Sequence, residues 1–151
     1  LDFAERAAKN AIADAGIDPS DIGLFIVGSD TPEYISPSTS VMLQGRIQGG
    51  QKSVPSFDIV ASCASFTTAF STAASIMASD PGIRYACVTG VYDMPSFVRP
   101  GDVFGLSIFA DGAGSVILER DETGKSGYIG RGRGVLLLAL YVAYVVAVIR
   151  G

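Results

Sequence analysis

The sequence reads as a layered α/β domain built on a largely parallel sheet, and three features lead there. Apolar runs of strand length alternate with helix-length amphipathic segments. Glycine and proline punctuate the boundaries between them. The most uncharged stretch of the chain runs directly out of a β-branched segment into a helix of small residues.

The first element is a helix. Phe3, Ala4, Ala7, Ala8, Ala11, Ile12 and Ala15 recur at helical spacing, with Glu5, Arg6, Lys9, Asn10 and Asp14 outside the stripe. Gly16 is placed to stop it, and Pro19 lies beyond the end. IGLFIVG, residues 22–28, is a short apolar run that reads as a buried strand. SDTPEYISPSTS is a loop, and Pro37 is placed to open a second helix over about 38–48. VPSFDIVAS, residues 54–62, reads as a second strand, and a long helix follows from Cys63 to about Ser79. IRYACVTGV, residues 83–91, is a third strand. DMPSFVRPGDVFG is a loop, and residues 107–120 read as a strand pair or a strand around a tight glycine turn. The Asp111-Gly112-Ala113-Gly114 segment is read as that turn rather than a phosphate or metal loop. The chain opens in mid-pattern, on a helix with no strand before it, so its beginning is expected to be missing.

Residues 125–151 differ in kind. After the GRGRG segment, residues 135–149 are fifteen apolar residues in a row, flanked by Arg131, Arg133 and Arg150. That is short of the roughly 20 residues a spanning helix needs. Three readings stand open: a short membrane segment, a buried strand or helix, and a tail foreign to the domain. The expected organisation is therefore a partial domain over 1–124 and an atypical tail over 125–151.

Composition narrows the function. The 151 residues are 48% apolar with a net charge of −4, a globular composition with scattered basic residues and no support for nucleic-acid binding. There is no histidine, which removes histidine zinc sites and any Ser-His or Cys-His dyad from this polypeptide. No set of residues has a metal-ligand spacing. Two cysteines and no leader-like N-terminus argue for a reducing cytoplasm rather than a disulfide framework. Asp30, Glu33, Asp93 and Asp102 read as solvated loop residues and turn formers, and Tyr34 and Phe104 as pocket or interface residues or as partly buried loop anchors.

FDIVASCASFTTAF, residues 57–70, carries the chemistry. Residues 59–79 hold no charge, bracketed by Asp58 and Asp80, which predicts a deeply buried helix. Cys63 falls where strand gives way to helix. Peptide dipoles and free N–H groups at a helix start favour negative charge, so a thiolate is stabilised there and an oxyanion on a bound thioester can be held. That is the logic of a nucleophile at a strand-turn-helix elbow, with sulfur in place of oxygen. The other reading is a packed core cysteine. Cys87, inside YACVTG, reads as structural.

Four stretches together resemble the β-ketoacyl-acyl carrier protein synthase III family of thiolase-fold condensing enzymes, in its N-terminal half. They are AGIDPSDIGLFIVGSDTPEY, SPSTSVMLQGRI, FDIVASCASFTTAF and IFADGAGSVILER, in family order across residues 1 to about 120. The resemblance implies a thiolase-like αβα half with a mixed, largely parallel sheet around a buried central helix. It implies Cys63 as the catalytic nucleophile, attacking an acyl-CoA thioester. The acyl-cysteine would then be attacked by the carbanion of a decarboxylated malonyl-acyl carrier protein. The reaction needs no cofactor beyond the CoA thioester as substrate, and the family is a cytoplasmic homodimer.

The sequence also departs from the family. The histidine and asparagine that assist decarboxylation come from the second half, and this chain has no histidine and no asparagine after Asn10. Ser36 stands where an aromatic often precedes the proline-serine pair. Ala64-Ser65-Phe66 stands for serine-glycine-phenylalanine, and Ala110 for a frequent glycine. These changes imply a divergent member with an unusual starter group, and a chain that alone is not competent for condensation. The competing class is a non-catalytic truncated or membrane-tethered binding module.

Overall fold

The computed structural model describes residues 1–121; the tail readings for 125–151 lie outside them. The described elements are α1 (Asp2–Ala15), β1 (Ile22–Gly28), α2 (Thr39–Gln48), β2 (Ser56–Ile59), α3 (Ser65–Ser79), β3 (Tyr85–Asp93), α4 (Val103–Ile108) and β4 (Asp111–Glu119). Single 3₁₀ turns cover Pro19–Asp21, Ser62–Ala64 and Met94–Phe97. The sheet order is β2-β1-β3-β4. β1 runs parallel to both β2 and β3, and β4 is antiparallel to β3.

β1 is apolar throughout because both of its faces are covered. Ile22, Phe25 and Val27 pack with Ala4, Ala8, Ile12 and Leu43 on the α1 and α2 side. Leu24 and Ile26 pack with Ala69, Ala73 and Met77 on the α3 side. β3 divides in the same way, with Tyr85 and Cys87 on one face and Ala86 and Val88 on the other. The result is three layers with two apolar seams, as a parallel sheet requires.

The helix ends follow local chemistry. Gly16 closes α1 at φ 65°, a left-handed conformation that glycine adopts freely. α2 begins at Thr39 with Ser38 as its cap residue, so Pro37 lies outside the helix. Its first N–H groups are taken up from across the chain: the Asp58 carboxylate accepts from Thr39 N and Ser40 N, each at 2.8 Å. An anion at a helix N-terminus satisfies both donors and the dipole. At the other end Arg46 reaches Asp2 at 2.6 Å and Glu5 at 2.7 Å, tying α2 to α1.

Five expectations are corrected. β2 is shorter than 54–62, because the backbone must leave the ladder after Ile59 to reach α3. β3 spans 85–93 rather than 83–91. Residues 103–108 form a helix, where loop was expected to 105 and strand from 107, and residues 111–119 form one unbroken strand. The glycine-rich segment is thus no turn: Gly112 and Gly114 pair with Tyr92 and Gly90, and neither has a positive φ. Finally, the enclosure expected for α3 holds on one face only. Ser65, Ala69, Ala73 and Met77 are buried at a spacing of four, while Thr67, Phe70, Ser71 and Ala74 are exposed among the described residues.

Candidate active site

The sheet sets the site. β1, β2 and β3 are parallel, so their carboxyl ends converge, and β4 starts at that same end because it runs back. A cavity of about 580 Å³ opens there, lined by Cys63, Phe66, Gly28, Asp30, Tyr92 and Asp111, among others. Crevices beyond the carboxyl ends of strands are where open α/β sheets bind ligands.

Cys63 is exposed and sits in the Ser62–Ala64 turn, two residues before α3 rather than as its first residue. The chain reaches this position through a tight elbow. Ser62 has φ 48°, the left-handed region that a non-glycine residue occupies at a cost. Two groups hold it: Ala64 N–H donates to Ala61 O at 3.0 Å, and the Ser65 hydroxyl accepts from Ala61 N at 2.9 Å. The same hydroxyl donates to Ser62 O at 2.7 Å. Ser65 is buried, so this bracket is shielded from water. The Ser65 N–H is also taken up, by Ser62 O.

Glycines let the elbow lie close to the sheet. A Cβ on Gly28 would fall 2.6 Å from the Ser65 carbonyl carbon and oxygen, so no side chain fits there. A Cβ on Gly90 would come within 3.0 Å of the Phe66 ring. Bare backbone at Gly28, the end of β1, and at Gly90, within β3, therefore receives the first turn of α3. Opposite, Tyr92 and Phe109 face each other with ring centroids 6.2 Å apart, forming an aromatic wall.

Electrostatics distinguish this end of the sheet. Burial, then the charges of Asp30 and Cys63, push the Tyr92 phenol above its ordinary value. Asp111 lies opposite Asp93 in the ladder; burial, then Asp93, push its carboxyl up. Cys87 is different in kind: buried, with its thiol pushed up by desolvation, and packed near the Thr89 and Ser115 hydroxyls. It lies on the sheet face away from the elbow, as the structural reading expects.

The other singled-out residues fall elsewhere. Asp102 caps α4 by accepting from Gly105 N at 3.0 Å, and Glu33 pairs with the Leu1 amine at 3.1 Å. Tyr34 and Phe104 are exposed. Asp30 is corrected: it is half-buried and lines the cavity with Cys63. Tyr92 and Asp111 also face this cavity, and neither was expected there. Only the convergence of strand ends could have announced them.

Comparison with known proteins gives the same picture. Residues 57–131 match the model of 3-oxoacyl-[acyl-carrier-protein (ACP)] synthase III. The β-ketoacyl-[acyl-carrier-protein] synthase III of Laribacter hongkongensis is 40% identical over 121 residues, 80% of this chain and 37% of the relative. That of Coxiella burnetii is 41% identical over 117 residues, 78% of this chain and 36% of the relative. The solved 3-oxoacyl-[acyl-carrier-protein] synthase III of Aquifex aeolicus superposes with a TM-score of 0.72 at 32% identity, over 79% of this chain and 38% of that one. The priming β-ketosynthase of the R1128 polyketide pathway gives 0.70 at 28% identity, over 78% and 34%. The chain thus spans a little over a third of the length of the relatives it matches. With its layered αβα architecture, its elbow at Cys63 and these relatives, the chain is similar over most of its length to part of the β-ketoacyl-acyl carrier protein synthase III family of thiolase-fold condensing enzymes.

Proposed function

We propose that Cys63 is the nucleophile of an acyl-transfer and condensation reaction, and that this chain carries its loading step. One placement supports the reading: an exposed thiol on a strained elbow, facing a cavity at the carboxyl ends of the parallel strands. The Cys63 thiolate attacks the carbonyl carbon of an acyl-CoA. The positive end of α3 favours the negative charge that develops on the carbonyl oxygen. The intermediate collapses, the bond to the CoA sulfur breaks, and CoA leaves as a thiolate that takes a proton from water. A carbanion from decarboxylated malonyl-acyl carrier protein then attacks the acyl carbon and expels the Cys63 thiolate, giving a β-ketoacyl thioester for fatty acid or polyketide synthesis.

The second step needs groups that hold the enolate. With no histidine and no asparagine after Asn10, this chain cannot supply that pair. Loading and condensation therefore separate, and this chain alone loads without condensing. The reading carries with it acyl-CoA and malonyl-acyl carrier protein as partners, no cofactor, a cytoplasmic setting and a homodimer of the full-length parent. No helix among the described residues is long and apolar enough to cross a membrane.

CoA release tests it. Mixing the chain with a short acyl-CoA in excess is expected to free one CoA thiol per chain and then stop, with none freed by Cys63→Ala. Equal release from the variant would overturn the role of Cys63. Continued turnover on adding malonyl-acyl carrier protein would overturn the separation of the two steps.

A further inference from the structure

Ser65 ties the turn that carries Cys63 to the sheet. Its backbone is pinned against β1: the Ser65 carbonyl carbon and oxygen fill the space that a Cβ on Gly28 would take, 2.6 Å away. The residue is 5% exposed and opens the buried stripe Ser65, Ala69, Ala73 and Met77 of α3. Its hydroxyl reaches back over the turn, accepting from Ala61 N at 2.9 Å and donating to Ser62 O at 2.7 Å. Ser62 O accepts from the Ser65 N–H as well. The peptide unit entering Ala61 and the one joining Ser62 to Cys63 are therefore both held by one side chain. A peptide unit is planar, so fixing the Ser62 carbonyl fixes the Cys63 nitrogen with it. Between the two held units lies Ser62 at φ 48°, a conformation that a non-glycine residue leaves when released.

We propose that Ser65 is a positioning residue of the acyl-transfer site, whose hydroxyl locks Ser62 in its left-handed conformation and thereby sets where the Cys63 thiol stands. The inference deepens the acyl-transfer reading and rests on it. The single hydroxyl proton is committed to Ser62 O, so none is left to donate to a substrate, and Ser65 acts through Cys63. The sheet is the rigid reference: Gly28 seats the Ser65 backbone, and the Ser65 hydroxyl seats the turn.

Single-turnover loading of the whole chain tests it, with CoA release from butyryl-CoA followed in time. Misplacing a reacting group by about 1 Å costs up to about a hundredfold in rate. Ser65→Ala is expected to slow loading at saturating butyryl-CoA by about tenfold or more, with the half-saturating concentration unchanged. A residue that served folding alone would lower the amount of CoA released and leave its rate constant untouched. A wild-type rate constant in Ser65→Ala, whatever the amount released, overturns the inference. Buried Cys87, unreactive throughout, marks the folded chain. Ser62→Gly supplies a second comparison, because glycine takes a positive φ without the side-chain penalty and needs the bracket less. Ser65→Ala should slow loading less in the Ser62→Gly chain than in the wild type. Equal losses in both would show that Ser65 does not act through Ser62 and overturn the inference.

Iodoacetamide separates this inference from the reading beneath it. The Cys63 thiolate attacks its methylene carbon, a sulfur–carbon bond forms as iodide leaves, and no CoA is involved. Alkylation of Cys63 is expected to slow by about threefold or more in Ser65→Ala, as the sulfur is drawn from the positive end of α3. A wild-type chain that alkylates and releases no CoA overturns the acyl-transfer reading. The alkylation comparison then decides the part of Ser65 alone, and an unchanged rate there overturns it.

Discussion

Gly28 is the residue on which the elbow's position depends. Its missing Cβ leaves the space occupied by the Ser65 backbone, 2.6 Å from where that carbon would be. Backbone cannot rotate away as a side-chain tip can. Gly28→Ala is therefore expected to destabilise the chain by about 2–4 kcal/mol and to displace the Cys63 turn. Urea unfolding measures the first effect, and the alkylation rate of Cys63 measures the second. The two thiols should also behave oppositely. Cys63 is exposed, whereas Cys87 is buried and its thiol is pushed up by desolvation. A disulfide reagent near pH 8 is expected to modify one thiol quickly in the native chain and the second only after unfolding. Two fast thiols would contradict the packing around β3. At this scale the junction cysteine was legible in the sequence, because a β-branched run gives way there to a helix of small residues, and Cys63 is found exposed in the turn between them. Asp30 was not, since a loop aspartate looks solvated until its neighbours are known.

The elements show which patterns carry information. β1 is found at 22–28, as expected, because burial on both faces leaves an unbroken apolar run with sharp ends. β4 misleads because Gly112 and Gly114 resemble turn formers, although they sit in an extended ladder opposite Tyr92 and Gly90. α4 hides because Val103, Phe104, Leu106 and Ile108 are all exposed, so no apolar face marks the helix. α2 is held at both ends by other elements, and each end gives a prediction. Asp58→Ala removes the acceptor of two N-terminal donors and should cost about 1–2 kcal/mol, read by urea unfolding. An unchanged midpoint would mean that water caps α2 equally well. At the far end, Arg46 holds the Asp2 carboxyl below its ordinary value by hydrogen bonding and charge, and Lys9, then Arg46, do the same for Glu5. Groups lowered in the folded state contribute stability above their unfolded pKa, and that contribution is lost as pH falls through the folded one. Arg46→Gln is thus expected to lower the melting temperature slightly at pH 7, with the difference closing below the carboxylate range. All these groups are exposed, so the effect is small and shrinks in salt.

At the scale of the molecule, the fold class and the largely parallel sheet were readable, and the exposure of the surface was not. The charge-free run from Ile59 to Ser79 suggested enclosure, yet the outer face of α3 is open among the described residues. Phe70, Phe97, Val103, Phe104 and Ile108 are exposed as well. So much apolar surface predicts association. Sedimentation of the chain should show a mass that rises with concentration, and Phe104→Ser together with Val103→Ser should lower it. Composition alone cannot separate a buried face from one that awaits a partner, because both exclude charge.

The account turns on whether Cys63 takes an acyl group from CoA. The most direct measurement is the intact mass of the chain after incubation with butyryl-CoA, followed by peptide mapping, beside Cys63→Ala. The expected result is a single butyryl adduct on the peptide containing Cys63, removed by hydroxylamine and absent from the variant. A folded chain that gains no adduct, or carries it on Cys87, would contradict the account.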